Sequence, residues 1–201
     1  MRKLLAHPSA VFPLVLAGSM ALVPHALASR HNDRGGVGQA EGPYGVVFSV
    51  DKALPSSRIT PGALNPAVDQ ANIDETICVH GYSRSIRPPE KYTERLKRLG
   101  IRQYGYSDWR LRDYEEDHLI SLALGGSPTN PHNLWPEPHH VIGGWGSYTK
   151  DRLEDRLHSL VCHGRVPLAQ AQRDIATDWI AAFKRYIGPN PSPGRRHRRV
   201  D

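Results

Sequence analysis

The stretch Tyr114–Pro138 limits the possible folds of this chain more than any other segment. It reads YEEDHLISLALGGSPTNPHNLWPEP: an acidic run meets His118, and an apolar run then leads to a Gly-Gly pair. The alternation of side chains predicts a strand over Tyr114–Leu124. A return strand is expected over Asn133–Trp135, and the two prolines after it are expected to end it. The segment therefore predicts two strands joined by a glycine-containing turn.

Helices are predicted on both sides of this unit. One covers residues 92–99 and is expected to stop at Gly100. Two more cover residues 147–163 and 167–187, where apolar residues recur with the helical period. The first of these two carries its apolar residues on one face: Leu153, Leu157, Leu160 and Val161. The element order predicts an α+β fold, with one domain over residues 60–188.

The pairs Asp117-His118, Gly125-Gly126 and Asn133-Leu134 resemble the DH…GG…NL core of the HNH nucleases. In this ββα-metal group, a hairpin and a helix hold a divalent cation beside a histidine base. The resemblance covers roughly residues 112–160 and implies a ββα-metal core with flanking helices. It assigns Asp117 to the metal, His118 to the attacking water as general base, and Asn133 to bracing the loop. The chain is also similar to exported bacterial proteins that share EDHLI…LGG…NLWPEP, which implies no activity.

The third element of the HNH pattern has no direct match. The family usually has an asparagine or histidine at the start of the helix, and no asparagine lies between the central one and Lys150. His140 is the first candidate for the remaining metal ligand, and Asp151 and Glu154 are the alternatives. The metal is expected to be magnesium, manganese, zinc or nickel, and a histidine ligand favours the last three. Lys150 is assigned to the substrate phosphate, although Lys150, Glu154 and His158 also have the spacing of a solvated, ion-paired helix face.

The first 28 residues have the features of a secretory signal peptide. Arg2 and Lys3 form a charged start, residues 11–23 are apolar, and Ala26-Leu27-Ala28 offers a cleavage site. A membrane-spanning helix needs about 20 apolar residues, which is longer than this run. We therefore expect cleavage, a secreted or periplasmic protein, and no membrane segment in the mature chain.

The chain has two cysteines, Cys78 and Cys162. In an oxidising compartment they are expected to form one disulfide. The alternative is a thiol nucleophile or a metal ligand.

The net charge of +6 lies mostly at the two ends. Arg2 and Lys3 contribute +2 and residues 195–201 contribute +3, which leaves +1 for the rest. Residues 29–59 are predicted to be a flexible leader and residues 189–201 a disordered basic tail. The near-neutral domain gives no general sign of nucleic-acid binding.

These patterns predict an exported metal-dependent nuclease that hydrolyses phosphodiester bonds in DNA or RNA. No helix-turn-helix or zinc-finger motif is visible, so low sequence specificity is expected. The alternative is a non-catalytic exported scaffold of the same fold that binds nucleic acid, an envelope polymer or a protein partner.

Overall fold

The computed structural model describes residues 40–42 and 45–191. The predicted signal peptide, the start of the predicted leader and residues 192–201 of the predicted tail lie outside this part of the chain. Within it, no helix combines the length and apolar character needed to cross a bilayer.

The described residues form a mixed fold of four helices and two small antiparallel sheets. Strands β1 and β2 pair with each other, and β3 pairs with β4. The strands are β1 (Ala40–Gly42), β2 (Gly45–Val47), β3 (Tyr114–His118) and β4 (Leu134–Pro138), and the helices are α1 (Tyr82–Ile86), α2 (Glu90–Gln103), α3 (Ser147–Cys162) and α4 (Leu168–Tyr186). The predicted α+β class is confirmed at this level.

The pair β3–β4 differs in extent from the two predicted strands. β3 ends at His118, and the chain then makes a short 3-10 turn at Leu122–Leu124. The backbone is tight here, since a Cβ on Gly126 would lie 1.7 Å from the carbonyl oxygen of Ile120. A 3-10 turn thus takes the place of the strand that was expected to continue to residue 124.

β4 contains both prolines that were expected to end it. Pro136 lies opposite Glu116, and Pro138 lies opposite Tyr114. Each strand of a two-stranded sheet has one unpaired edge, where a missing N–H group breaks no ladder hydrogen bond. The prolines are therefore tolerated inside this strand.

α2 continues through Gly100, which was expected to stop it, and ends at Gln103. Gly100 is buried, and a Cβ built on it would lie 2.8 Å from Cδ of Pro136. The glycine therefore lets α2 approach β4 closely and does not serve as a helix stop.

The core lies mainly between α3 and α4. The four apolar residues predicted on one face of α3 are buried, and so are Ile175 and Trp179 of α4. The Trp179 indole Nε1 donates to the carbonyl oxygen of Ala53 at 2.7 Å. Val46 and Phe48 are also in this core. The folded part therefore extends N-terminally beyond residue 60, into residues that were predicted to be a flexible leader.

Cys78 and Cys162 form the predicted disulfide. The bridge joins residues 84 positions apart and connects the segment before α1 to the last residue of α3. In the chain-entropy description, closing a loop of this length contributes about 4.5 kcal/mol.

Candidate active site

The side chain of Asn133 holds the loop that follows β3. Its Oδ1 accepts from the Ile120 backbone N–H at 2.9 Å, and its Nδ2 donates to the carbonyl oxygens of Ile120 and Ser127 at 3.0 and 3.1 Å. The Leu119 N–H also donates to the Asn133 carbonyl at 2.8 Å. Asn133 is fully buried, so these bonds are not shared with solvent. They connect the first residues after His118 to the start of β4.

His118 is the last residue of β3, and its ring is held in one orientation. Its Nε2 lies 3.0 Å from the carbonyl oxygen of Pro128, which can only accept, so Nε2 carries the proton and donates. In the neutral ring, Nδ1 then carries the lone pair. Burial lowers the pKa of His118 to about 4, more than the Pro128 hydrogen bond raises it. The imidazole is therefore neutral near pH 7 and able to accept a proton.

Lys150 lies in the first turn of α3 and reaches across to β3. Its Nζ donates to Oδ2 of Asp117 at 2.6 Å, to Oε1 of Glu154 at 2.5 Å, and to the carbonyl oxygen of His118 at 2.9 Å. The side chain is 0 % exposed. Burial alone would lower the pKa of Lys150, but the carboxylates of Asp117 and Glu154 outweigh it and hold that pKa above its ordinary value. All three N–H bonds of the ammonium group are thus used inside the protein.

Glu137 of β4 is a third carboxyl group in this buried cluster. It is 1 % exposed, and no donor among the described residues reaches either of its oxygens. Its pKa is raised well above the ordinary value, first by burial and then by the neighbouring Asp117, against the opposing effect of Lys150. Burial therefore favours the protonated form of Glu137, and in that form the carboxyl group can donate to Asp117.

Two neighbouring clefts meet at His118 and Arg87. The smaller has a volume of about 30 Å³, and its lining includes Asp117, Asp151 and Glu154. That volume is comparable to the space of a single water molecule. The larger has a volume of about 380 Å³ and runs between α2 and β3. A small polar site beside the histidine is thus continuous with a groove large enough for part of a ligand.

Six of the predicted site residues lie at the smaller cleft or behind it. Asp117, His118, Asp151 and Glu154 all line the smaller cleft. Lys150 and Asn133 lie behind it in the protein interior. The expected solvated helix face is not observed at Lys150, because this side chain is fully buried and bonds to Asp117 of β3.

His140 lies at the other end of the β3–β4 pair. It follows β4 by two residues, and the last residue of β4 pairs with Tyr114 at the start of β3. Its ring centroid is 6.0 Å from that of Tyr148, and it does not line either cleft at His118. The neighbouring His139 stacks on the same tyrosine at 5.1 Å. The structure therefore does not bring His140 together with Asp117.

The buried cluster of Asp117, Lys150 and Glu154 leaves no position for a divalent cation between its two carboxylates. Asp117 and Glu154 converge on one point, but that point is Nζ of Lys150. Metal ions lie about 2.0–2.6 Å from their oxygen ligands, so a cation bound to these two oxygens would overlap the ammonium group. The residues therefore do not fit a metal ion at this position.

Among the residues that the structure describes, one group has the spacing of a metal site. Ligand atoms of Cys78, His158 and Cys162 lie within 4.8 Å of one another. Because the two cysteines form a disulfide, neither thiolate is available as a ligand. This group is a weak candidate in the oxidised protein.

Sequence reasoning missed two residues of the site. Glu137 belongs to the NLWPEP segment and lies opposite Glu115 in the strand pair, but nothing in the sequence indicates that its carboxyl group is buried. Arg87 follows α1 directly and lines both clefts. No sequence signal connects it to His118, since the two are 31 positions apart in the chain.

Comparisons of the sequence with protein-family models and with curated proteins, and of the structure with solved structures, find no match.

Proposed function

We propose that this protein is an exported nuclease that hydrolyses phosphodiester bonds with low sequence specificity, and that β3, β4 and α3 form an HNH-like core around His118. The antiparallel strand pair, the bond from Lys150 of α3 to Asp117 of β3 and the asparagine that braces the loop support the resemblance seen in the sequence. The disulfide and the predicted signal peptide support export to an oxidising compartment.

The orientation of His118 carries this proposal. Its Nε2 proton is committed to the Pro128 carbonyl, and no hydrogen bond to the described residues occupies Nδ1. The cleft beside it has room for a water molecule. In the proposed reaction, Nδ1 takes a proton from this water as the oxygen attacks phosphorus, and the bond to the departing ester oxygen breaks. The departing oxygen takes a proton from solvent water in the open groove, and the imidazolium of His118 then releases its proton to solvent.

Arg87 is the proposed contact to the substrate phosphate. It is exposed, lines both clefts, and forms no ion pair with the described residues. A guanidinium group can donate two parallel hydrogen bonds to phosphate oxygens. Binding through the phosphate carries no base information, which is consistent with low sequence specificity. No step is assigned to a metal ion between Asp117 and Glu154, because Lys150 fills that position.

Cleavage of plasmid DNA and of a long RNA by the purified protein tests the proposal. His118→Gln should abolish cleavage, because the amide cannot accept the proton, while His163→Gln should not, because that exposed ring lies at the end of α3 and lines neither cleft. Arg87→Gln should raise KM more than Arg173→Gln, since Arg173 is an exposed arginine of α4 outside both clefts. Unchanged cleavage in folded His118→Gln would refute the assignment of the base.

A second candidate is a non-catalytic scaffold. The observation that favours it is the excess of acidic side chains lining the smaller cleft, where Asp117, Asp151, Glu154 and Asp155 outnumber the cationic Arg87. Such a cleft disfavours a polyanion. Binding of a nucleic acid or a protein without cleavage, unaffected by His118→Gln, would support the scaffold and count against the nuclease.

A further inference from the structure

The buried ammonium group of Lys150 has the surroundings of a bound cation. Three oxygen atoms from three residues converge on it: a carboxylate oxygen of Asp117, a carboxylate oxygen of Glu154 and the backbone carbonyl oxygen of His118. Carboxylate and carbonyl oxygens are also the ligands that hard divalent cations take in proteins. The donor set is therefore that of a cation site, and a side chain of the protein itself occupies it.

The ammonium group of Lys150 connects β3 to α3. Asp117 belongs to β3, and Lys150 and Glu154 belong to successive turns of α3. A charge at this point cancels repulsion between carboxylates that are both buried, and Glu137 lies behind them. Without a cation here, the strand and the helix would present carboxylates to each other at short range, which is strongly unfavourable in a poorly solvated environment.

We propose that Lys150 is the built-in cation of this site, taking the position between β3 and α3 that a divalent metal ion would need, so that hydrolysis at His118 proceeds without a metal there. The part of this inference that concerns hydrolysis rests on the proposed function. The part that concerns cation binding does not. Lys150 acts as a positioning residue, because it holds Asp117 and the backbone of His118 and does not reach the cleft.

The proposal predicts that removing the lysine creates a metal site. Lys150→Ala leaves a space lined by the same three oxygens, and Asp117 and Glu154 also line the cleft through which an ion can enter. Lys150→Met also removes the charge but fills most of the space. The matched lysine control is Lys97→Ala, because Nζ of Lys97 donates to two backbone carbonyl oxygens, at 3.0 and 3.3 Å.

Titration with Mn²⁺, followed by the loss of the free-ion electron paramagnetic resonance signal, measures binding directly. Lys150→Ala should bind one Mn²⁺ at least about tenfold more tightly than the wild type, since a like charge no longer occupies the site. Lys150→Met and Lys97→Ala should bind no more tightly than the wild type. Adding Asp117→Asn to Lys150→Ala should remove the gain. If Lys150→Ala unfolds alone, Mn²⁺ should raise its melting temperature by mass action, and no such rise should occur for Lys150→Met.

Two results would overturn the proposal. One is a wild-type protein that binds Mn²⁺ with an affinity that Asp117→Asn abolishes. The other is a Lys150→Ala variant that gains neither Mn²⁺ binding nor Mn²⁺-dependent stability. Cleavage assays with a chelator separate this inference from the proposed function. Cleavage that requires a divalent ion refutes metal-free hydrolysis at His118 but leaves the nuclease standing. The absence of cleavage under all conditions refutes the nuclease, while the Mn²⁺ titration still decides the role of Lys150.

Discussion

Replacing Lys150 with methionine removes the positive charge from the buried cluster while keeping most of the side-chain volume. Asp117 and Glu154 then remain buried, each having lost its ion-pair contact at 2.5–2.6 Å. Breaking a buried ion pair by removing one partner costs about 3–5 kcal/mol. Because about 1 kcal/mol shifts the melting temperature of a protein of this size by about 2–4 °C, the expected loss is roughly 6–20 °C.

Urea unfolding at pH 7 measures the free energy of unfolding of this variant and of its control. Lys97→Met removes a half-buried ammonium group that donates to backbone carbonyl oxygens, so a smaller loss of about 1–2 kcal/mol is expected. Adding Asp117→Asn and Glu154→Gln to Lys150→Met should restore part of the lost stability, because amides carry no charge. The deficit of Lys150→Met should also shrink at low pH as the buried carboxylates take up protons.

The reasoning would be refuted if Lys150→Met lost no more stability than Lys97→Met. It would also fail if the two amide substitutions made Lys150→Met less stable. Either result would mean that the buried charges of Asp117 and Glu154 do not depend on the lysine.

Three further predictions follow from individual side chains. The pKa of His118 is about 4 in the folded protein, below its ordinary value of 6.5. The free energy of unfolding should therefore fall by about 3 kcal/mol as the pH drops from 6.5 to 4. Urea unfolding at several pH values should show this fall for the wild type and not for His118→Gln. Burial raises the pKa of Glu116 to about 8, so the stability that its protonated form contributes is lost as the pH rises towards 8. With allowance for the partial exposure of this side chain, Glu116→Gln should be about 1–2 kcal/mol more stable than the wild type at pH 8. Gly100→Ala should lower the free energy of unfolding by about 1–3 kcal/mol, because the new Cβ would lie 2.8 Å from the ring of Pro136. An unchanged melting temperature in thermal unfolding would contradict the close packing of α2 on β4.

The helices α3 and α4 could be predicted well because their signals are local. Apolar residues with the helical period indicate the buried faces, and a serine or proline before each run with a glycine after it indicates the ends. The disulfide could be predicted because the chain has two cysteines and an apparent export signal.

Tertiary contacts caused the errors. Gly100 was predicted to stop a helix because glycine usually does so, but its role depends on Pro136, which is 36 positions away in the chain. The prolines of β4 were predicted to end it because they lack an N–H group, but the two-stranded sheet leaves that edge unpaired. Neither contact has a local sequence signal.

The site was only partly predictable for the same reason. Asp117, His118 and Asn133 could be identified because they fall in one short motif. Lys150 was assigned to the substrate phosphate, with a solvated helix face as the alternative. Helical periodicity cannot tell that the side chain is instead buried against Asp117 of β3. Arg87 lies at the site because the chain passes the smaller cleft directly after α1, and no sequence pattern predicts this path.

The rate of phosphodiester cleavage as a function of pH tests the central claim most directly. With a neutral His118 as base, kcat/KM for a DNA substrate should rise with an apparent pKa near 4 and remain level through pH 7, and this limb should disappear together with the activity in His118→Gln. A limb near pH 6.5, or cleavage that persists in the folded His118→Gln protein, would contradict the account.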